Sequence, residues 1–252
     1  MNKKSGFKKT FQVCLLSFVM ICCLFSFAAA ESAMPFYDVV KRDAAPIING
    51  NLDEEVWQSV PDISGGFHFP WDPKEVPATV FKAYHDGSDF YFSFDITDGE
   101  VLASEEWVNE STVDNEDRAE LFFAAADVHL PTPSGMPTYF CIEVDPKGRV
   151  HDYSVVYYRH FDSEWNMADL KTAAVVTETG YTIEGSVPLQ TFRDLNLISA
   201  DELMRVGVYR AEFSSQADSE DILMEWISWI NPKTEAPDYH VNSSFGEFRF
   251  LK

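Results

Sequence analysis

Cysteine is scarce in this chain, and its distribution makes it scarcer still. Of four cysteines in 252 residues, Cys14, Cys22 and Cys23 fall in the first 23 positions, leaving Cys141 alone in the remainder. One cysteine cannot form an internal disulfide, so the body of the chain must fold by burying apolar surface, which a domain of this size can do. Basic residues are few, 19 against 41 acidic ones. The resulting negative surface repels nucleic acid and anionic lipid and excludes both as partners. Several motifs are missing as well. There is no Gly-x-Ser-x-Gly, no glycine-rich phosphate loop and no His-Glu-x-x-His. The histidines (68, 85, 129, 151, 160 and 240) are scattered, which gives a multi-histidine metal site no support.

What is present begins with a leader. Lys3, Lys4, Lys8 and Lys9 precede an uncharged apolar run, Phe11 to Phe27, and then Ala28-Ala29-Ala30. Basic head, apolar core and small residues in that order read as a secretory signal peptide over residues 1–30, and the run falls short of the ~20 residues that span a bilayer. The leader holds four of the basic residues and none of the acidic ones, so its removal takes the formal charge from −22 to −26. A secreted, periplasmic or cell-surface protein is expected, with residues 31–252 as one domain. So many carboxylates also suit calcium, a hard cation that takes oxygen ligands. Asp86, Asp89, Asp95 and Asp98 stand at loop edges where they could serve.

Strand signals dominate that domain. In Phe90 to Thr97 the residues Phe90, Phe92, Phe94 and Ile96 alternate with Tyr91, Ser93, Asp95 and Thr97, a period of two that sends one set to a core and the other to water. Thr79–His85 precedes it across Asp86-Gly87-Ser88-Asp89. Thr138–Val144 pairs with Val150–Tyr158 around Asp145-Pro146-Lys147-Gly148, and Ala173–Thr177 with Tyr181–Val187. Further strands are expected at Phe36–Arg42, Ala119–Ala125, Arg205–Phe213, Met224–Ile227 and Phe245–Leu251. Only two short helices are expected, Asp53–Trp57 and Leu189–Phe192. About ten closely spaced strands argue for an all-β, two-sheet sandwich. Gly99 to Glu116 is the longest loop, and loops of that length are often functional.

Glu120 and Glu143 sit on two of these strands, opposite the aliphatic side chains. Such carboxylates can serve as a glycosidase acid and nucleophile, as acceptors for a polar ligand, or as partners of a basic residue. Arg210 is the partner expected. Trp71, Trp107, Trp165, Trp226, Trp229 and Tyr239 form the larger clue, because sugar C–H faces stack on flat rings while hydroxyls pair with Asp, Glu, Asn or Arg.

Six segments in order, PIINGNLDEEVWQSVP, TVFKAYHDGSDFYFSFDITD, DNEDRAELFF, GYTIEGSVPLQTF, ISWINP and SSFGEFRFL, resemble the family-nine carbohydrate-binding modules of the wider DOMON-like superfamily. The resemblance runs from Tyr37 to Leu251. It implies a jelly-roll-like sandwich, bound structural calcium, no organic cofactor, and an aromatic slot that grips oligosaccharide or polysaccharide ends. Family members often accompany glycosidases in polysaccharide catabolism. It further implies that Trp57 is a structural plug, seated with Leu52 and Val56. Glu120, Glu143, Asp145 and Tyr239 are carried over by position; Trp107, in the same loop as the family's first tryptophan, and Arg210, on the strand of the family's glutamine, complete the expected slot. Val113-Asp114-Asn115-Glu116 stands where the family has its first tryptophan, Tyr239 where it has the second, Glu143 and Asp145 where it has an Arg-x-Asn pair, and Ala211 where it has a glutamine. The expected function is therefore a non-catalytic carbohydrate-binding module. The alternatives are a haem-holding redox sandwich using Met34, Met136, Met167, Met204 or Met224 with a histidine, a glycoside hydrolase on Glu120 and Glu143, and a surface protein with a decayed slot.

Overall fold

The computed structural model describes residues 34–126, 138–156, 159–217 and 219–252. The expected leader, with Cys14, Cys22 and Cys23, lies outside the described residues, as do His129 and Met136. Among the described residues, thirteen strands join in one curled mixed sheet. It turns at β1 (Phe36–Lys41), whose Phe36 to Val39 run parallel to β13 (Gly246–Phe250) while Val40 and Lys41 pass to β3 (Thr79–His85). Beyond β13 the order continues through β11 (Leu203–Ser215), β5 (Arg118–Ala125), β6 (Tyr139–Val144), β7 (Val150–Val156) and β8 (His160–Asp162). Beyond β3 come β4 (Asp89–Thr97), β10 (Gly180–Pro188) and β9 (Lys171–Val176). Strand β12 (Ile222–Ser228) pairs with β11, and β2 (Asp62–Ser64) with β3.

The two halves close on each other as a β-sandwich. Phe81, Phe92, Phe94 and Ile183 from one half and Leu121, Ile142, Val206 and Val208 from the other share one buried cluster. Each such side chain contributes about 1.5–3 kcal/mol by leaving water. The helix α2 (Leu189–Asp194) adds Phe192, whose ring lies 5.0 Å from Phe123 and 5.6 Å from Phe90.

Both halves also bury part of their outer faces, where strand alternation alone predicts water. On β4, Tyr91 and Ser93 are as buried as Phe90, Phe92 and Phe94 beside them, and from Phe90 onward only Asp95 and Thr97 emerge. The cause is the turn carrying α1 (Glu55–Gln58), which lays Val56 and Trp57 over Tyr84 and Tyr91. Trp57 is indeed a plug: its ring stands 5.1 Å from Tyr84 at 77°, and its Nε1 donates to Glu184 at 2.9 Å. The other carboxylate oxygen of Glu184 accepts the N–H groups of Asn49 and Gly50.

On the opposite half the outer face of β5, β6, β7 and β11 carries a second aromatic cluster. Phe122, Tyr139, Tyr153, Tyr209, Tyr239 and Phe245 are buried there around the free thiol of Cys141, with Trp71 and Trp226 packed on them. Gly207 makes this possible, because a Cβ at that position would come within 2.0 Å of the Tyr209 hydroxyl. The long loop before β5 is not structureless. It contains a 3₁₀ helix, Glu110–Asn115, whose Thr112 hydroxyl accepts the N–H groups of Val108 and Asn109.

Candidate functional site

Strand register decides which side chains meet on this second face. Glu120 on β5 is opposite Glu143 on β6 and Tyr209 on β11, and His151 on β7 extends the row beyond Glu143. The next row runs from Arg118 through Ala211 to Trp226 on β12. Opposed residues in a ladder point to the same side, so Arg118, Glu120, Glu143 and Trp226 converge without any long loop being needed to aim them.

Arg118 is the hub. Its Nε lies 3.0 Å from Glu120 and 2.6 Å from Glu143, a shared ion pair in which neither contact is a well-aligned hydrogen bond. Its Nη1 donates to the carbonyls of Val113, Asp114 and Glu116, which ties the 3₁₀ helix to the site. The guanidinium also lies 5.4 Å from the Trp226 ring centre and 5.6 Å from that of Phe213. One guanidinium cannot neutralise two buried carboxylates. Burial, then the charge of Glu143, push Glu120 up to about 8 although Arg118 pulls it down, so Glu120 is held towards its protonated form. Glu143 accepts a further hydrogen bond from the Tyr153 hydroxyl at 2.7 Å.

These groups line a cavity of about 290 Å³ whose walls include Arg118, Glu120, Glu143, Trp71, Trp226 and Tyr239. Trp71 stands 5.6 Å from Tyr239 with its Nε1 donating to the Thr234 carbonyl, and Trp226 meets Tyr239 at 6.0 Å and 88°. An ion pair between Arg159 and Asp238 completes the wall. A larger groove, about 620 Å³, runs along the loop from Val101 to Glu116, but it is open and has no aromatic side chain in its walls.

The structure brings three of the six expected site residues to the smaller cavity: Glu120, Glu143 and Tyr239. Tyr239 does not offer a free face, since one side of its ring lies on Tyr209 and only 6% of the residue is exposed. The other three lie elsewhere. Trp107 covers the Arg149 guanidinium at 5.2 Å and is absent from the cavity wall. Asp145 is a turn anchor that accepts the N–H groups of Lys147 and Arg149 and the Nε of Arg149. Arg210 is opposite Ala119, not Glu120, so alternation sends it into the interior, where it pairs with Asp98 and Glu212 and donates to the Thr97 carbonyl. The partner of Glu120 is therefore Arg118, and its i, i+2 spacing from Glu120 on one strand was the available signal. Trp71 and Trp226 had no local signal, because their place depends on β12 register and on the loop before β3.

The calcium that the resemblance implies can be tested on the donors present. Asp86 is occupied in its turn, accepting from Ser88, Asp89 and the Tyr91 hydroxyl. Asp98, Asp117 and Glu212 bring carboxylate oxygens within 4.8 Å of one another. Arg210, fully buried, already supplies the positive charge there, and Asp117 accepts the N–H groups of Leu102 and Phe213. Burial raises Asp117 to about 7. As arranged, this trio does not fit a calcium ion. For the haem alternative, Met167 and Met204 are core residues and Met224 is exposed.

The same sandwich is found among solved structures. A protein of Bacteroides uniformis described as a candidate carbohydrate-binding protein is 14% identical, with a TM-score of 0.62, over 87% of this chain and all of that one. A family 9 carbohydrate-binding module of Caldicellulosiruptor kristjanssonii, solved with cellotriose, is 17% identical, with a TM-score of 0.56, over 86% of this chain and 93% of that one. No curated protein matches. The fold is thus that of a carbohydrate-binding module. The family itself follows from the sequence: residues 48–252 match the carbohydrate family 9 binding domain-like model, and the chain belongs to that family.

Proposed function

We propose that the protein is a non-catalytic module that holds an oligosaccharide or polysaccharide end in the cavity between Trp71, Trp226 and Tyr239. The observation that carries this reading is the juxtaposition of two partly buried indoles with a buried Arg118–Glu120–Glu143 cluster in one cavity. The indoles supply apolar surface for sugar C–H faces. Glu120 as a carboxylic acid, Glu143 as an acceptor and Arg118 as a donor read hydroxyls, and a polar group left unpaired on binding costs ~1–3 kcal/mol. Affinity is expected to be roughly micromolar to millimolar. The glycosidase alternative has less support, because both carboxylates are tied to one guanidinium nitrogen. The acidic surface and the leader motif support export, and a glycosidase acting on the same polysaccharide is the natural partner.

Isothermal titration tests this with cellotriose first, then xylan and mannan oligosaccharides. Heat of binding to at least one ligand, lost in Trp226→Ala, is expected. Absence of heat across the panel at millimolar concentrations overturns the reading.

A further inference from the structure

Beside the sugar cavity, the 110–115 helix meets β6 and β7 at a junction with its own chemistry. His151 on β7 is buried and directly opposite Glu143 on β6. Asp114, 44% exposed by side chain, reaches from the helix so that its Oδ1 lies 2.7 Å from Nδ1 of His151. Ligand atoms of Asp114, Glu143 and His151 all lie within 4.8 Å of one another. Nε2 of His151 is buried without a hydrogen-bond partner, as is Oε2 of Glu110 on the 110–115 helix, whose charge acts on the same imidazole.

We propose that Asp114, Glu143 and His151, with Glu110 beside them, form a site for one borderline divalent cation, zinc being the type case. Imidazole combined with carboxylates selects such an ion over calcium, which prefers an all-oxygen shell. Glu143 is already oriented by the Tyr153 hydroxyl at 2.7 Å and by Arg118, and each of its oxygens keeps a further lone pair. Such outer partners fix a ligand's orientation in metal sites. Asp114 is exposed enough to open the short contact to His151 and admit an ion. The ion would fasten the 110–115 helix to β7, and because Glu143 also lines the sugar cavity, it would sit directly behind that wall. The inference does not rest on sugar binding.

The test uses the full chain freed of metal with a chelator and titrated with zinc chloride, with calcium chloride as control and no sugar present. One zinc bound per chain and a rise in Tm are expected, with calcium bound at least tenfold more weakly. His151→Gln and Asp114→Asn should each weaken zinc binding tenfold or more. Asp114→Asn changes a half-exposed side chain, so it keeps the test valid should His151→Gln fail to fold. No zinc binding, equal affinity for calcium, or zinc binding unchanged in Asp114→Asn would each overturn the proposal.

Discussion

Tyr239 lies flat on Tyr209, with ring centres 4.1 Å apart and planes 11° apart, and its hydroxyl donates to the Ile227 carbonyl at 2.8 Å. An aromatic ring held so completely is part of the wall, whereas Trp226 is only partly buried against the same cluster. The two should therefore separate on mutation. Tyr239→Ala is expected to cost about 3–5 kcal/mol of stability by opening a cavity. Trp226→Ala should lower sugar affinity tenfold or more with a much smaller stability loss. Urea unfolding and calorimetric titration on the same two variants check the split, and equal effects on both would refute it.

The Arg118 cluster predicts a non-additive series. Arg118→Met leaves the Glu120–Glu143 pair buried without its counter-charge, and breaking a buried pair from one side costs about 3–5 kcal/mol. Adding Glu120→Gln and Glu143→Gln removes the stranded charge and should recover most of that loss. Urea unfolding of the single and triple variants measures it. A triple variant no more stable than the single one would mean that packing of the arginine stem, not its charge, holds the cluster.

Much of the fold was legible because it depends on local periodicity. The strand at Phe90 to Thr97 and the Asp-Gly turn before it follow from neighbouring residues, and the structure contains both, but the burial of Tyr91 and Ser93 comes from Trp57, whose seat on Tyr84 and Glu184 is a contact between distant segments. The three-residue strands β2 and β8 escaped because so short a run carries no period. The site was legible only in part. Glu120 and Glu143 could be placed on one face by parity, but Arg210 could not be assigned a side until the pairing of Tyr209 with Glu120 was known. Trp71 and Trp226 reach the cavity through contacts between distant elements, which no local pattern encodes.

Arg210 offers a test of charge balance in the interior. It is wholly buried against Asp98 and Glu212, with Asp117 close by, so Arg210→Met should destabilise the chain by about 3–5 kcal/mol. The variant then presents three carboxylates with no cation among them. Millimolar calcium should raise its Tm while leaving that of the wild type unchanged. If calcium stabilises the wild type as strongly, the guanidinium does not serve as the resident cation.

His240 gives the pH dependence. Its ring is stacked on Phe122 at 5.0 Å and 24°, and its Nδ1 shares a hydrogen bond with the Tyr139 hydroxyl at 2.8 Å. Burial, and next the charge of Arg159, lower it from 6.5 to about 4. The folded state thus binds a proton less readily than the unfolded chain. The stability that depends on a neutral His240 is fully present above pH 6.5 and is lost as pH falls from there towards 4, by about 3 kcal/mol over the window. Carboxylates titrate near the lower end, so the histidine is isolated by difference. His240→Phe keeps the stacking and gives up the Tyr139 contact at every pH alike. Between pH 7 and pH 5 the variant should lose less stability in urea unfolding than the wild type does. Parallel curves for the two proteins would show that the imidazole is protonated in the folded state as easily as in the unfolded one.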